Sequence, residues 1–170
     1  MGEIYIGYHG TTISGADSIL SSRQFRFSIK EEEWLGKGVY FFEKDIQQAV
    51  NYCVKAKGRK EYSILKSEIE PNICIDLDST DEMEIMDGIA KSINNRYKKL
   101  KDGRERKLKN SVILDKLYKL KPYDVVKKTF FVEKTNPIKD TNFAWVQVQI
   151  CVRNQACIKT IEEVIRHDGS

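Results

Sequence analysis

A turn reading Tyr8-His9-Gly10-Thr11-Thr12 is followed by Trp34-Leu35-Gly36-Lys37-Gly38-Val39-Tyr40-Phe41-Phe42, and then by Ala49-Val50-Asn51-Tyr52-Cys53. Both glycine-bearing segments sit at the edges of short apolar runs with strand character. Glycine has no Cβ, so a ligand can approach the main-chain N–H and C=O there. Tyr40 and Tyr52 offer two rings able to clamp a planar heterocycle. His9 adds an imidazole that can hydrogen-bond a hydroxyl. Together these residue types suit a planar, ribose-bearing ligand. Taken singly, each has a structural explanation: His9 as a satisfied turn histidine, the two tyrosines as ordinary packing residues.

A second candidate set lies near the end of the chain. From Phe143 to Val152 the residues alternate, with Phe143, Trp145, Gln147, Gln149 and Cys151 on one face and Ala144, Val146, Val148, Ile150 and Val152 on the other. A period of two over ten residues predicts a strand. It places Gln147 and Gln149 together on one side.

The remaining elements follow from local pattern. Strands are expected at 4–8, 25–27, 39–42, 62–69 and 73–77. A helix is expected from Ser14, a candidate N-cap, to Leu20, and another from Asp45, also a candidate N-cap, to Lys57, closed by Gly58. Longer helices are expected over 81–101, with Met83, Ile85, Met86, Ile89, Ile93 and Tyr97 on one stripe, and over 111–120. The segment 124–134 reads as mixed, and 158–165 as a strand or a short helix. Short strands with few helices between them, then a helical insertion at about 81–122, predict an α+β domain with a mixed, split sheet spanning residues 1–170.

Composition narrows the function. The chain has 170 residues, 41% of them hydrophobic, enough for a core. No apolar run is long enough for a transmembrane helix and no signal peptide is visible, so a cytoplasmic location and no membrane partner are expected. Cys53, Cys74, Cys151 and Cys157 form no Cys-x-x-Cys pair, and His9 and His167 are the only histidines, so no metal is expected. Net charge is +4. It concentrates in Arg96, Lys98, Lys99, Lys101, Arg104, Arg106, Lys107 and Lys109, opposed only by Asp102 and Glu105, a local excess of six. Such a stretch is either a solvated face or a surface for a polyanion, with Lys98, Lys99, Arg104 and Arg106 as the candidate contacts.

The three ordered motifs resemble the catalytic domain of the poly(ADP-ribose) polymerase-like, diphtheria-toxin-type branch of the ADP-ribosyltransferases. That family reads His-Gly-Ser/Thr, then Gly-Lys-Gly-Ile/Val-Tyr-Phe, then Ala-Asn-Tyr-Cys. The resemblance implies the ADP-ribosyltransferase fold and NAD as substrate. It implies that His9 and Thr11 contact the adenosine-side ribose, that Gly10 holds the nicotinamide carboxamide, and that Tyr40 and Tyr52 sandwich the nicotinamide ring. Arg26 would lie near the adenosine end, and Gly38 in the cofactor-binding turn. Two departures stand out. The family's serine before Ala-Asn-Tyr-Cys is missing, leaving Gln48 or Asn51 in its neighbourhood. Gln149 falls where many members carry a catalytic glutamate, and Gln147-x-Gln149 echoes the Gln-x-Glu of other members. Glutamine can hydrogen-bond a ribose hydroxyl but carries no charge to stabilise an oxocarbenium.

Three readings stay open at Gln149: a mono-ADP-ribosyltransferase that works with glutamine, an inactivating Glu→Gln substitution, or a catalytically silent NAD- or ADP-ribose-binding interaction module. The first, with His9, Tyr40 and Gln149 as its catalytic set, implies a small bacterial toxin or effector of a toxin–antitoxin or phage-defence system. Its partners would be an acceptor macromolecule, nucleic acid before protein, and a neutralising antitoxin. RNA 2′-phosphotransfer is a third function of the same broad fold, disfavoured by Gly36-Lys37-Gly38-Val39-Tyr40-Phe41.

Overall fold

Among the described residues, alternating apolar residues along seven short segments build one mixed sheet, and four α-helices cover its faces. A computed structural model describes residues 2–29, 33–98, 107–132, 141 and 143–170. The elements are β1 (Tyr5–Thr11), α1 (Ile13–Ser22), β2 (Val39–Glu43), α2 (Ile46–Asn51) running into a π-helical turn (Tyr52–Ala56), β3 (Tyr62–Ile69), β4 (Cys74–Asp76), α3 (Thr80–Tyr97), α4 (Asn110–Leu120), β5 (Val125–Phe131), β6 (Val146–Val152), a 3-10 turn (Gln155–Cys157) and β7 (Glu162–His167). The strand order is β4-β5-β6-β2-β1-β3-β7. Among the described residues only β4 and β5 run parallel; every other pair is antiparallel. The protein is therefore α+β with a mixed seven-stranded sheet among the described residues.

The period of two sorts the core onto both faces. Tyr5, Phe41, Val125, Ile150 and Val152 pack with Ala16 and Ile19 of α1 and with Phe25. On the opposite face Cys151 and Val126 pack with Leu35, with Ile89 of α3, and with Leu114 and Leu117 of α4. A smaller cluster of Ala49, Cys53 and Ile64 seats α2 and its π-turn, with Tyr8 and Phe42 packed against it. Fully burying a side chain such as Phe41, which is 1% exposed, contributes about 1.5–3 kcal/mol.

Helix α1 is capped by Thr12, whose hydroxyl accepts from Gly15 N at 3.0 Å, and not by the expected Ser14. Ser14 lies inside the first turn. Helix α2 starts where expected, with Asp45 Oδ1 accepting from Gln48 N at 3.2 Å. Segment 25–27 alternates without forming a strand. Phe25 instead gives its N–H and C=O to the Gln155 amide, at 2.8 Å each, and only Ser28 bridges to Gly38. The alternating run at 143–152 enters the ladder only at Val146. Segment 125–131 is a full strand. Helix α3 ends at Tyr97, and Lys99, Arg104 and Arg106 of the basic stretch lie outside the described residues.

The ladder is thin at one place. β1 and β3 are in register over seven pairs, Tyr5↔Ile69 to Thr11↔Ser63. β1 and β2 keep only Gly7↔Glu43 and Tyr8↔Phe42. Beyond Tyr8 the two strands part, and the sheet opens between its β4-β5-β6-β2 and β1-β3-β7 halves.

Close approaches hold the edge of this opening. A Cβ on Gly38 would sit 2.5 Å from Cys151 Sγ and 2.6 Å from Val152 O. Neither neighbour is the free end of a flexible side chain, so Gly38→Ala is expected to destabilise the fold by about 1–3 kcal/mol through overpacking, read as a lower midpoint in urea unfolding with unchanged slope.

Candidate functional site

The opening in the sheet is a cleft enclosing about 230 Å³, lined by His9, Gly10, Arg26, Ser28, Glu33, Trp34, Gly38, Tyr40, Phe41, Phe42, Tyr52 and Gln149. Residues from all three glycine and tyrosine motifs and from the late strand thus meet in one place. Thr11 and Gln147 do not line it. Thr11 continues β1 opposite Ser63, and Gln147 sits opposite Phe130 on β5, one pair beyond Gln149 on the same face. Lys98 follows the last residue of α3 and is exposed.

The backbone shows why the cleft forms at His9. Lys44 N donates to Ile6 O at 2.9 Å, so the polar groups of Ile6 point at β2. In an antiparallel pair, hydrogen-bonded residues recur every second position. Tyr8 is next, opposite Phe42, and Gly10 would follow, opposite Tyr40. The ladder stops before that pair. The Tyr40 carbonyl instead receives the His9 ring, with Nδ1 at 2.8 Å. A side-chain bond replaces a ladder bond, and the main-chain N–H and C=O of Gly10 are left facing the gap without a β2 partner.

His9 is held on its other sides by Phe25, edge-on at 5.2 Å between ring centroids, and by Phe41 at 5.7 Å. A carbonyl only accepts, so Nδ1 carries the proton and Nε2 of the neutral ring is an acceptor. Burial lowers the His9 pKa below its ordinary 6.5; the bond to Tyr40 and the nearby Arg59 charge act against and with that shift, respectively. His9 is therefore neutral at pH 7 and offers the lone pair of Nε2.

Tyr40 stands on the opposite sheet face. Its hydroxyl donates to Gly36 O at 2.6 Å and accepts from Leu35 N at 3.0 Å. Burial raises its pKa far above the ordinary phenol value, so it stays protonated. The fixed hydroxyl sets the ring plane. Gly36 has φ +76°, a left-handed conformation that glycine adopts without strain. Tyr52 opens the π-helical turn, a local widening found often at functional sites. Its ring lies 6.1 Å from that of Phe42, with Lys57 Nζ over it at 5.2 Å. A Cβ on Gly10 would meet Cys53 Sγ at 2.6 Å and Ala49 O at 2.8 Å, so glycine there also lets the Tyr52-bearing helix close onto β1.

Gln149 faces the cleft opposite Phe42, and its side chain makes no hydrogen bond among the described residues. Arg26 is exposed and pairs with no carboxylate among them. Sequence reasoning gave no role to the lining residues Glu33 and Trp34, nor to Arg153, which lies behind the Gly36 turn and does not line the cleft. Glu33 is the one carboxylate among the described lining residues. Trp34 packs on Phe130 at 4.7 Å, and its carbonyl accepts from Asn110 Nδ2 at 3.0 Å, which ties the start of α4 to the cleft wall. Arg153 is nearly buried, bonds Asp115 of α4, and stacks its guanidinium on Tyr118 at 4.7 Å. A Trp or Arg beside a glycine turn carried no periodic signal that could have marked it.

The thiols are poor nucleophile candidates. Burial pushes Cys151 up to about 12 and Cys157 up to about 11, and it raises Cys53 and Cys74 as well. Among the described residues no group of three or more His, Cys, Asp or Glu is placed to hold a metal, and no helix is long and apolar enough to cross a membrane.

No protein-family model matches the chain. It is similar to an uncharacterized protein of Methanocaldococcus jannaschii, 26% identical across 91% of this chain and 85% of that protein.

The depressed pKa of His9 links the site to stability. The unfolded chain binds the His9 proton more readily than the folded one, so folding is favoured above about pH 6.5 and loses stability as pH falls through the lowered value. Thermal melts from pH 8 to pH 5 should show this loss, and His9→Asn should remove that component of it.

Proposed function

We propose that the protein is an NAD-dependent mono-ADP-ribosyltransferase with the ADP-ribosyltransferase fold, its split sheet opening between β1 and β2. The observation that carries the reading is the interrupted ladder at His9. It leaves the Gly10 amide and carbonyl free to take the two ends of a nicotinamide carboxamide, between the rings of Tyr40 and Tyr52. A gap of 230 Å³ is below the usual 300–1,000 Å³ of small-molecule sites and suits the nicotinamide–ribose end alone. The adenosine half would run past His9 toward the exposed Arg26, whose guanidinium suits a pyrophosphate or ribose.

Transfer asks little acid–base chemistry of the leaving side, because nicotinamide departs neutral. Holding the ring, the carboxamide and the ribose while C1′ becomes oxocarbenium-like supplies most of the rate. Neutral His9 Nε2 accepts from a ribose hydroxyl, and the Gln149 amide hydrogen-bonds the nicotinamide ribose. The uncharged Gln149 favours a second reading, a silent NAD- or ADP-ribose-binding module that recruits partners. Nicotinamide release separates the two.

The acceptor proposed is nucleic acid. The basic stretch from Arg96 to Lys109 joins α3 to α4, and α4 begins at the Asn110 that holds Trp34 in the cleft wall. A strand bound by those charges would enter beside the cleft. An intracellular toxin or phage-defence effector with a neutralising antitoxin is the setting this activity suits.

Titration calorimetry with NAD should show His9→Ala and Tyr52→Ala weakened by about 1–3 kcal/mol, the range for a lost buried hydrogen bond or aromatic clamp. Equal affinity in both variants would remove the site from consideration. Reversing Lys98, Lys99, Arg104 and Arg106 to glutamate should abolish labelling of RNA or DNA from labelled NAD while nicotinamide release persists. Each lost phosphate contact should lower the log–log salt slope by about 0.7–0.9. Labelling that survives with unchanged salt dependence would point to a protein acceptor.

A further inference from the structure

The cleft contains a carboxylate in a place the motifs did not point to. Glu33 lies in the turn before Gly36-Lys37-Gly38 and is half-buried. Its backbone carbonyl accepts from Gly36 N at 3.3 Å, and its Oε1 accepts from the Ser28 hydroxyl. Ser28 is itself fixed to the turn by two main-chain bonds, Ser28 N to Gly38 O at 2.8 Å and Gly38 N to Ser28 O at 3.1 Å. Glu33 is thus braced at its backbone and at one carboxylate oxygen. The other, Oε2, has no hydrogen-bond partner among the described residues.

Its charge reaches the floor of the cleft. The raised pKa values of the Tyr40 phenol and the Cys151 thiol each owe a part to the Glu33 carboxylate, after the larger effect of burial. Tyr40 and Cys151 face each other across β2 and β6, and Gln149 is the next cleft-facing residue of β6. Glu33, from the turn before β2, and Gln149, from β6, both line the cleft. Among the described residues no cation is paired with it, and Arg26, the arginine among the described lining residues, is exposed and makes no ion pair with it.

We infer that Glu33 is the catalytic carboxylate of the cleft, supplying the negative charge that Gln149 lacks. The inference rests on the NAD reading above. The bond from C1′ of the nicotinamide ribose to the ring nitrogen breaks, and its electron pair leaves with neutral nicotinamide. Positive charge grows on the ribose and is stabilised by the Glu33 carboxylate. A hydroxyl of water or of the acceptor bonds to C1′, and its proton passes to Glu33 Oε2 and then to solvent. NAD and the hydroxyl compound are consumed; nicotinamide, the ADP-ribosylated product and one proton are formed. Gln149 positions the ribose by hydrogen bonding.

The test compares the parent with Glu33→Gln and Glu33→Ala, using NAD with water as acceptor. The readouts are nicotinamide release, NAD affinity by calorimetry and melting temperature. Glu33→Gln keeps an acceptor for the Ser28 hydroxyl. It is expected to melt and to bind NAD as the parent does, and to release nicotinamide about 10²–10⁴-fold more slowly. Added formate is expected to restore part of the Glu33→Ala rate. Parent-like turnover in Glu33→Gln overturns the role of Glu33 and leaves the NAD reading standing. Loss of rate matched by loss of NAD affinity and melting temperature, without formate rescue, makes Glu33 structural and also overturns it. A parent that binds no NAD overturns both proposals. A parent that binds NAD and releases no nicotinamide overturns this one and leaves the silent module.

Discussion

One hydrogen bond decides the shape of the cleft: His9 Nδ1–H to the carbonyl of Tyr40, at 2.8 Å. That carbonyl is the acceptor a regular β1–β2 ladder would have given to Gly10. Once an imidazole occupies it, the strands cannot close, and the sheet keeps a gap in its middle. The gap costs ladder bonds, each contributing about 0.5–1.5 kcal/mol net. The loss is offset where both strands find other partners, β1 on β3 over its full length and β2 on β6. The aromatic walls of Phe25 and Phe41 keep the ring neutral, and a neutral ring presents one donor and one acceptor in fixed places.

The helical insertion is a part of this arrangement. Leu114 of α4 lies 3.4 Å from the point where a Cβ on Gly36 would stand, Asn110 holds the Trp34 carbonyl, and Asp115 holds Arg153 at the end of β6. The turn that fixes the Tyr40 hydroxyl is therefore backed by α4. A partly buried arginine–carboxylate pair of this kind contributes little net stability, because desolvation opposes attraction. Its value is positional: it sets the distance between the insertion and the strand that carries Gln149. In sequence the basic stretch runs up to Lys109, directly before this same helix, whose first residue, Asn110, holds the cleft wall.

Much of this was legible in the sequence because the signals were local. The alternation at 146–152, the apolar run at 62–69 and the Asp45 cap each specify their element from a few neighbouring residues. The co-location of His9, Gly10, Tyr40, Tyr52 and Gln149 was expected from ordered motifs, and these residues do line one cleft. The failures were tertiary. Phe25-Arg26-Phe27 alternates like a strand, but its backbone is taken by Gln155, 130 residues away in sequence. Thr12 took the cap from Ser14 because β1 runs on to Thr11, which fixes the helix start earlier. Glu33 is one of three consecutive glutamates in the sequence, with no local signal that separates one from another. Only the folded contact with Ser28 and the cleft distinguishes it.

The central claim is that the Gly10 main chain, freed by His9, holds a nicotinamide carboxamide. The most direct measurement is a backbone-amide NMR titration of the protein with NAD and, separately, with nicotinamide. The account predicts that both ligands shift the Gly10 amide, with Tyr40 and Tyr52 following, while Arg96 and Lys98 stay unmoved. A Gly10 amide that keeps its position at saturating NAD, or shifts centred on α3 and α4, would contradict it.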